Sequence, residues 1–270
     1  DHRDLHRLIR RQRQMCIRDR YYDEKFKPAF EMEIEAIKKS AKLLKKMCDV
    51  LVNFVVPGRR TLDLARIADD FIFSNGAKPA FKEKGFPSSI CTSVNDEVVH
   101  GVPGDYILQN GDILSIDMGL SLNGFYSDMA VTVPIGEVSS QAMRLIEVTK
   151  TALYKGIEKF KPGNHLGDIS GAIFNFATKN GFSVVREYTG HGIGLSLHEE
   201  PQILNYGTPG DGPELKNGMV FAIEPMITAG SYEVYLDKNG WTARTKDGSL
   251  SAHFEHTVAL VDGEPQILTQ

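Results

Sequence analysis

Asp117 and Asp128 flank an Asn-Gly pair inside a stretch that alternates as paired strands do. From 113 to 133, Leu114, Ile116, Met118, Leu120 and Leu122 take one face, and Ser115, Asp117, Gly119 and Ser121 the other. Asn123-Gly124 predicts a two-residue hairpin that pairs 122 with 125, 117 with 130 and 119 with 128. The two aspartates then become diagonal neighbours, about 7–8 Å apart at Cα. Carboxylates so placed repel, and each raises the other's pKa unless a cation separates them. On the hairpin alone, a metal site and an exposed polar face are equal readings.

The second half of the chain tips that balance. NGMVFAIE (217–224) aligns with NGDILSID (110–117) at an offset of 107, and both end in a carboxylate. Glu255 lies eight residues before Gly263, as Asp128 lies eight before Gly136. Glu224 and Glu255 thus match Asp117 and Asp128, and four carboxylates meet at one seam. Uncompensated, those charges are too costly, whereas divalent cations make the arrangement favourable. Oxygen donors with one imidazole suit Mn, Fe or Co, leave Mg and Zn open, and do not suit a thiolate zinc site. His191, between glycines in TGHGIG, is the best imidazole candidate, because flanking glycines permit a close backbone approach. His100 in NDEVVHGVP and His198 in LHEEP are further candidates, while His253 and His256 flank Glu255 as either supporting or packing residues.

The elements that must hold these groups form a duplicated unit. Pro57-Gly58 precedes Thr61, Asp63, Leu64, Ala68, Phe71 and Asn75-Gly76; Pro162-Gly163 precedes Leu166, Asp168, Ile169, Ile173, Phe176 and Asn180-Gly181, each pair 105 positions apart. The apolar members fall at helical spacing, and each Asn-Gly fits a helix end. Ile34, Ile37, Ala41, Leu44, Cys48 and Leu51 predict an amphipathic helix before the first copy, and Leu145, Val148, Ala152 and Leu153 one before the second. About twenty extra residues separate the two acids of the second half. The pattern predicts one α/β (α+β) domain over 31–270, built from two α–β halves with pseudo-twofold symmetry, the site lying at their seam.

Composition bounds the rest. With 41% apolar and 24% charged residues over 270 positions, the chain has material for a sizeable core. No apolar run reaches the roughly 18 residues a membrane span needs. Three cysteines without a CxxC pair point to a reducing compartment. Residues 1–20 carry seven Arg against three Asp, so the rest of the chain bears a net charge of −8 and is a poor nucleic-acid binder. That leader, taken to residue 30, lacks the apolar core of a signal peptide and starts without Met. A disordered or artefactual extension is expected there, in preference to an RNA-binding arm.

From about 31 to 268 the chain resembles a type I methionine aminopeptidase of the pita-bread fold. The resemblance rests on YTGHGIGLSLHEEPQILNY (188–206), NGDILSIDMG, YSDMAV, FAIEPM and DGSLSAHFEHTVAL. It implies a curved antiparallel sheet between the two halves. It also implies that Asp117, Asp128, His191, Glu224 and Glu255 bind two divalent metal ions, with Asp128 and Glu255 bridging. A metal-activated water would attack the first peptide bond, with Glu224 as general base and His100 and His198 holding the scissile peptide. Phe86, Cys91, His100, Leu197, His198 and Trp241 would contact the substrate. Two features depart from the family pattern: Leu197 stands where an aromatic is common, and AFKEKGF (80–86) differs upstream of the pocket.

The implied activity is removal of the initiator methionine from peptides and nascent chains with a small second residue. The implied setting is cytoplasmic, as a monomer near the ribosome, with neither membrane nor specific nucleic acid as partner. A proline-directed aminopeptidase P or prolidase shares the five ligands but usually adds a sizeable N-terminal domain. A type II methionine aminopeptidase needs an insertion for which 198–224 leaves no room. A non-catalytic protein of the same fold should carry broken ligands, and all five are intact.

Overall fold

The computed structural model describes residues 27–270, so the expectation for the leader lies largely outside the described residues. Helices α1 (Lys27–Val52) and α2 (Thr61–Ser74) open the first half, followed by the single turn α3 (Ala80–Glu83); α4 (Ser140–Ile157) and α5 (Leu166–Lys179) open the second. The predicted stripes of α1 and α4 are buried throughout, from Ile34 to Leu51 and from Leu145 to Leu153. Ser139 caps α4 by accepting the Ala142 N–H at 3.1 Å. α2 and α5 start 105 residues apart and close in the same way. Gly76 and Gly181 take φ of +67° and +80°, and the next N–H reaches back to Ile72 or Ala177.

Among the described residues the helices alternate with fifteen strands: β1 (Lys78–Pro79), β2 (Ile90–Val94), β3 (Glu97–Val99), β4 (Ile113–Leu122), β5 (Phe125–Pro134), β6 (Ser183–Val184), β7 (Gly190–Gly192), β8 (Glu199–Ile203), β9 (Val220–Ile223), β10 (Met226–Thr228), β11 (Val234–Leu236), β12 (Ala243–Thr245), β13 (Ser251–His253), β14 (Glu255–Val261) and β15 (Glu264–Ile267). The main sheet is antiparallel and curved, in the order β1-β4-β5-β14-β9-β7-β8, with β2 also on β4 and β15 on β14. One half contributes β4 and β5 and the other β9 and β14. They join where Ala130 faces Glu255 and Met129 faces His256. The helices of each half bury their stripes against their own part of the sheet, which gives two main apolar cores.

The predicted hairpin register is the observed one: Leu122 faces Phe125, Asp117 faces Ala130 and Gly119 faces Asp128. Asn123 and Gly124 both have positive φ, as the tight turn demands. The polar face is not exposed. Ser115, Ser121 and Asp128 are buried, and Ser115 shares a hydrogen bond with Thr132 at 2.9 Å.

Symmetry is broken after the second acid. β4 continues past Asp117 into the hairpin, whereas β9 stops at Ile223, because Pro225 follows Glu224 and offers no N–H. The extra residues form β10 to β13, which enter two small sheets, β13-β10-β6 and β11-β12-β3. This insertion brings Trp241 and His253 to the seam.

Candidate metal centre

Each carboxylate reaches the seam from a different strand or strand end. Asp117 and Asp128 come from the two arms of the hairpin, Glu224 from the end of β9 and Glu255 from the start of β14. Between them stands His191 in β7, paired to Ala222 of β9 and Gln202 of β8. Its flanking glycines serve the strands, not the site directly. A Cβ on Gly190 would lie 2.4 Å from the Ala222 carbonyl oxygen, and one on Gly192 2.4 Å from that of Glu200. Only glycine lets three strands close around the histidine.

His191 Nδ1 lies 3.0 Å from the Gly192 carbonyl oxygen, which fixes the proton on Nδ1 and turns the Nε2 lone pair toward the acids. Nε2 is 3.5 Å from Glu224 Oε1 and 4.0 Å from Asp128 Oδ2. Burial holds the imidazole's pKa down at about 4, so it is neutral at physiological pH.

The acids are shifted the other way. Burial raises Asp117 to about 7 and drives Asp128, Glu224 and Glu255 well above the carboxylate range; neighbouring acids push Asp128 and Glu255 further. Asp117 Oδ1, Asp128 Oδ1 and Glu255 Oε1 are buried without a hydrogen-bond partner. Buried acceptors of this kind cost free energy unless something pairs with them. One donor atom each from Asp128, His191 and Glu255 falls within 4.8 Å of the others, and so does one each from Glu224, His253 and Glu255. Oxygen donors with neutral imidazoles match a divalent transition ion, and a cation held there would compensate the orphaned oxygens.

The eleven residues that the resemblance implies as ligands, catalytic groups or substrate contacts line one cavity of about 650 Å³. Phe86 and Leu197 are buried at its apolar end together with Cys91, whose thiol burial pushes far up, so it acts as a small apolar surface. Trp241 is not core. It is 38% exposed and meets Phe86 edge-to-face at 5.3 Å, so the two rings form one wall. His198 stands edge-on to His191 at 4.5 Å. His100 takes a left-handed φ of +57°, a strained state for a non-glycine residue, and its carbonyl accepts the Thr242 hydroxyl at 3.1 Å. Burial lowers its pKa to about 4. The departing stretch 80–86 supplies Phe81, Lys84 and Phe86 to the walls.

Two of the sequence's open cases separate here. His256 packs away from the centre, with Nδ1 2.9 Å from Thr269 Oγ1 and Tyr154 beside its ring. His253 instead reaches the acids. Its proximity to Glu255 in sequence was the available signal, but position 254 breaks the strand, so alternation alone could not place its side chain.

A cavity of this chemistry on two pseudosymmetric α–β halves defines a pita-bread metallopeptidase. Residues 35–262 match Metallopeptidase family M24, and the chain belongs to that family. It is 50% identical over 240 residues to the methionine aminopeptidase of Clostridium perfringens, covering 88% of this chain and 96% of that protein. The solved methionine aminopeptidase of Rickettsia prowazekii superposes with a TM-score of 0.87 at 45% identity, covering 89% of this chain and 98% of that one. The prolidase of Pyrococcus furiosus is more distant, at 26% identity and a TM-score of 0.72, with 88% of this chain and 64% of that one covered. Among the described residues, no helix is long and apolar enough to cross a membrane.

Proposed function

We propose that this chain is a methionine aminopeptidase that releases the N-terminal methionine of peptides and nascent chains in the cytoplasm. Asp117, Asp128, His191, Glu224 and Glu255 are the residues that would hold two divalent ions, of which Mn, Fe and Co suit the donors best. Such ions supply Lewis acidity and a nucleophile at neutral pH. The observation that carries this reading is the set of buried, unpartnered carboxylate oxygens facing an apolar pocket.

The chain's own groups then divide the work. Phe86, Cys91, Leu197 and Trp241 enclose the methionine side chain and exclude water. Glu224, whose proton affinity burial has raised, accepts the proton from the attacking water. His100 and His198 hold the scissile peptide by hydrogen bonds. His100, neutral at physiological pH, can present either a donor or an acceptor. The substrate's second residue passes close to the ligand carboxylates, so it must be small.

The test uses chelated protein resupplied with Mn²⁺ or Co²⁺ and three peptides, Met-Ala-Ser, Leu-Ala-Ser and Ala-Pro-Ser. Metal-dependent release of methionine alone is expected. Preferential cleavage of Ala-Pro-Ser would move the chain to the proline-directed branch of the family.

A further inference from the structure

The cavity around the four carboxylates is walled by acids, yet one lysine stands at its mouth. Lys84 is the single lysine or arginine among the described residues that line it, and it shares the outer wall with Glu187, Glu199 and Glu200. It belongs to 80–86, the stretch that departs from the family pattern. Its mount is firm. The Phe81 carbonyl accepts the N–H groups of Lys84 at 3.0 Å and Phe86 at 3.1 Å. Both phenyl rings are buried and meet edge-to-face at 6.3 Å. Gly85, at a φ of +87°, permits that tight return.

The other charged groups of this turn are already matched. Lys82 Nζ lies 2.9 Å from Asp69 Oδ1, and Glu83 Oε2 accepts the Tyr126 hydroxyl at 2.6 Å. The Lys84 ammonium has neither a hydrogen bond nor an ion pair among the described residues. Its charge is felt at His198, whose imidazole pKa is lowered by burial and then by Lys84.

Position decides what such a cation meets. On the peptidase reading proposed above, on which this assignment rests, the methionine side chain fills the apolar end and His198 holds the scissile peptide. The chain beyond that peptide leaves through the mouth, where His198 and Lys84 are both exposed. Extended residues advance about 3.3–3.6 Å each, so the substrate's third residue passes within about 7 Å of the peptide that His198 holds. A lysine's flexible four-carbon stem can bring its point charge to a carboxylate there.

We propose that Lys84 is a specificity residue of this chain, pairing with a carboxylate at the substrate's third residue, either on its side chain or as a free C-terminus. Without Lys84, that carboxylate would pass the like charge of the outer acids. The lysine thus offsets a repulsion as well as adding an attraction.

The experiment measures kcat and KM of the Mn²⁺-loaded full chain, as wild type, Lys84→Met and Lys84→Glu, on three peptides. Met-Ala-Gln amide carries no carboxylate. Met-Ala-Glu amide carries one on the third side chain, and Met-Ala-Gln with a free C-terminus carries one on the backbone. The kcat/KM of a carboxylate peptide, divided by that of the uncharged amide, is expected to fall about two- to fivefold in Lys84→Met, as loss of an exposed ion pair would give. It should fall further in Lys84→Glu, and mostly through KM, because the pairing is present before and during the reaction. The gap between wild type and Lys84→Glu should narrow as salt is raised. Whichever carboxylate peptide responds identifies the source of the charge. Ratios that stay the same in all three proteins, including an equal loss on every peptide, overturn the assignment, because a merely structural lysine affects every substrate alike. Turnover of no peptide by the wild type would overturn the peptidase reading together with this one.

Discussion

At the scale of single residues, the site separates groups that would hold charge from groups that handle the substrate. Asp128 and Glu255 are almost wholly buried, whereas His198 is exposed at the cavity wall, stands edge-on to the ring of His191 and belongs to neither compact donor set. Removing the His198 imidazole therefore leaves the donor set intact. His198→Ala is expected to lower kcat by about 2–4 kcal/mol, the size of a lost oxyanion-type donor, with metal content unchanged. Steady-state kinetics with Met-Ala-Ser, alongside a metal count, checks this; loss of metal together with rate would show that the residue acts on the centre instead. Legibility at this scale followed chemistry. The four acids were visible because the repeat aligned them. His253 stayed an open case, because the strand is interrupted at Phe254 and alternation could not place its side chain.

At the scale of elements, the hairpin and the glycine-flanked strand do different jobs. A period-2 pattern with Asn123-Gly124 at its centre leaves one register, since a slip by one residue would move Asp117 and Asp128 to the opposite face. That logic is local and was readable. The setting of His191 is not local, because its glycines answer to the carbonyls of Ala222 and Glu200 on two other strands. The sequence marked close approach but could not say to what. Gly192→Ala puts a methyl 2.4 Å from a backbone oxygen, which must shift β7 from β8. Destabilisation of about 1–3 kcal/mol is expected from such overpacking. Co²⁺ affinity should fall as well, because Nδ1 of His191 bonds the carbonyl of that same glycine. Urea unfolding and a Co²⁺ titration measure the two effects separately; a destabilised variant with unchanged affinity would mean that the imidazole is held by something other than β7.

At the scale of the whole molecule, the two halves concentrate raised acids at their junction, and this couples metal, pH and stability. Burial lifts Asp117 to about 7 from an ordinary value of 3.8, and lifts the other three acids as well. In chelated protein the folded state thus binds more protons than the unfolded state, so Asp117 contributes stability that is lost as pH rises from about 4 through 7, and the other three raised acids act in the same direction. His100 and His191 have the opposite sign. Held at about 4 when folded, they lose stability as pH falls below 6.5, with or without metal at His100. A cation displaces the protons and removes the alkaline penalty, because only ionised carboxylates and neutral imidazoles ligate. The Tm gain on adding Co²⁺ should therefore be larger at pH 8 than at pH 5.5. Asp117→Asn, which deletes one of the repelling acids, should raise the Tm of chelated protein at pH 8 while shrinking its gain from Co²⁺. Calorimetry of both proteins with and without metal decides the matter: equal gains at the two pH values would mean that the four acids are not the groups whose protons the metal replaces.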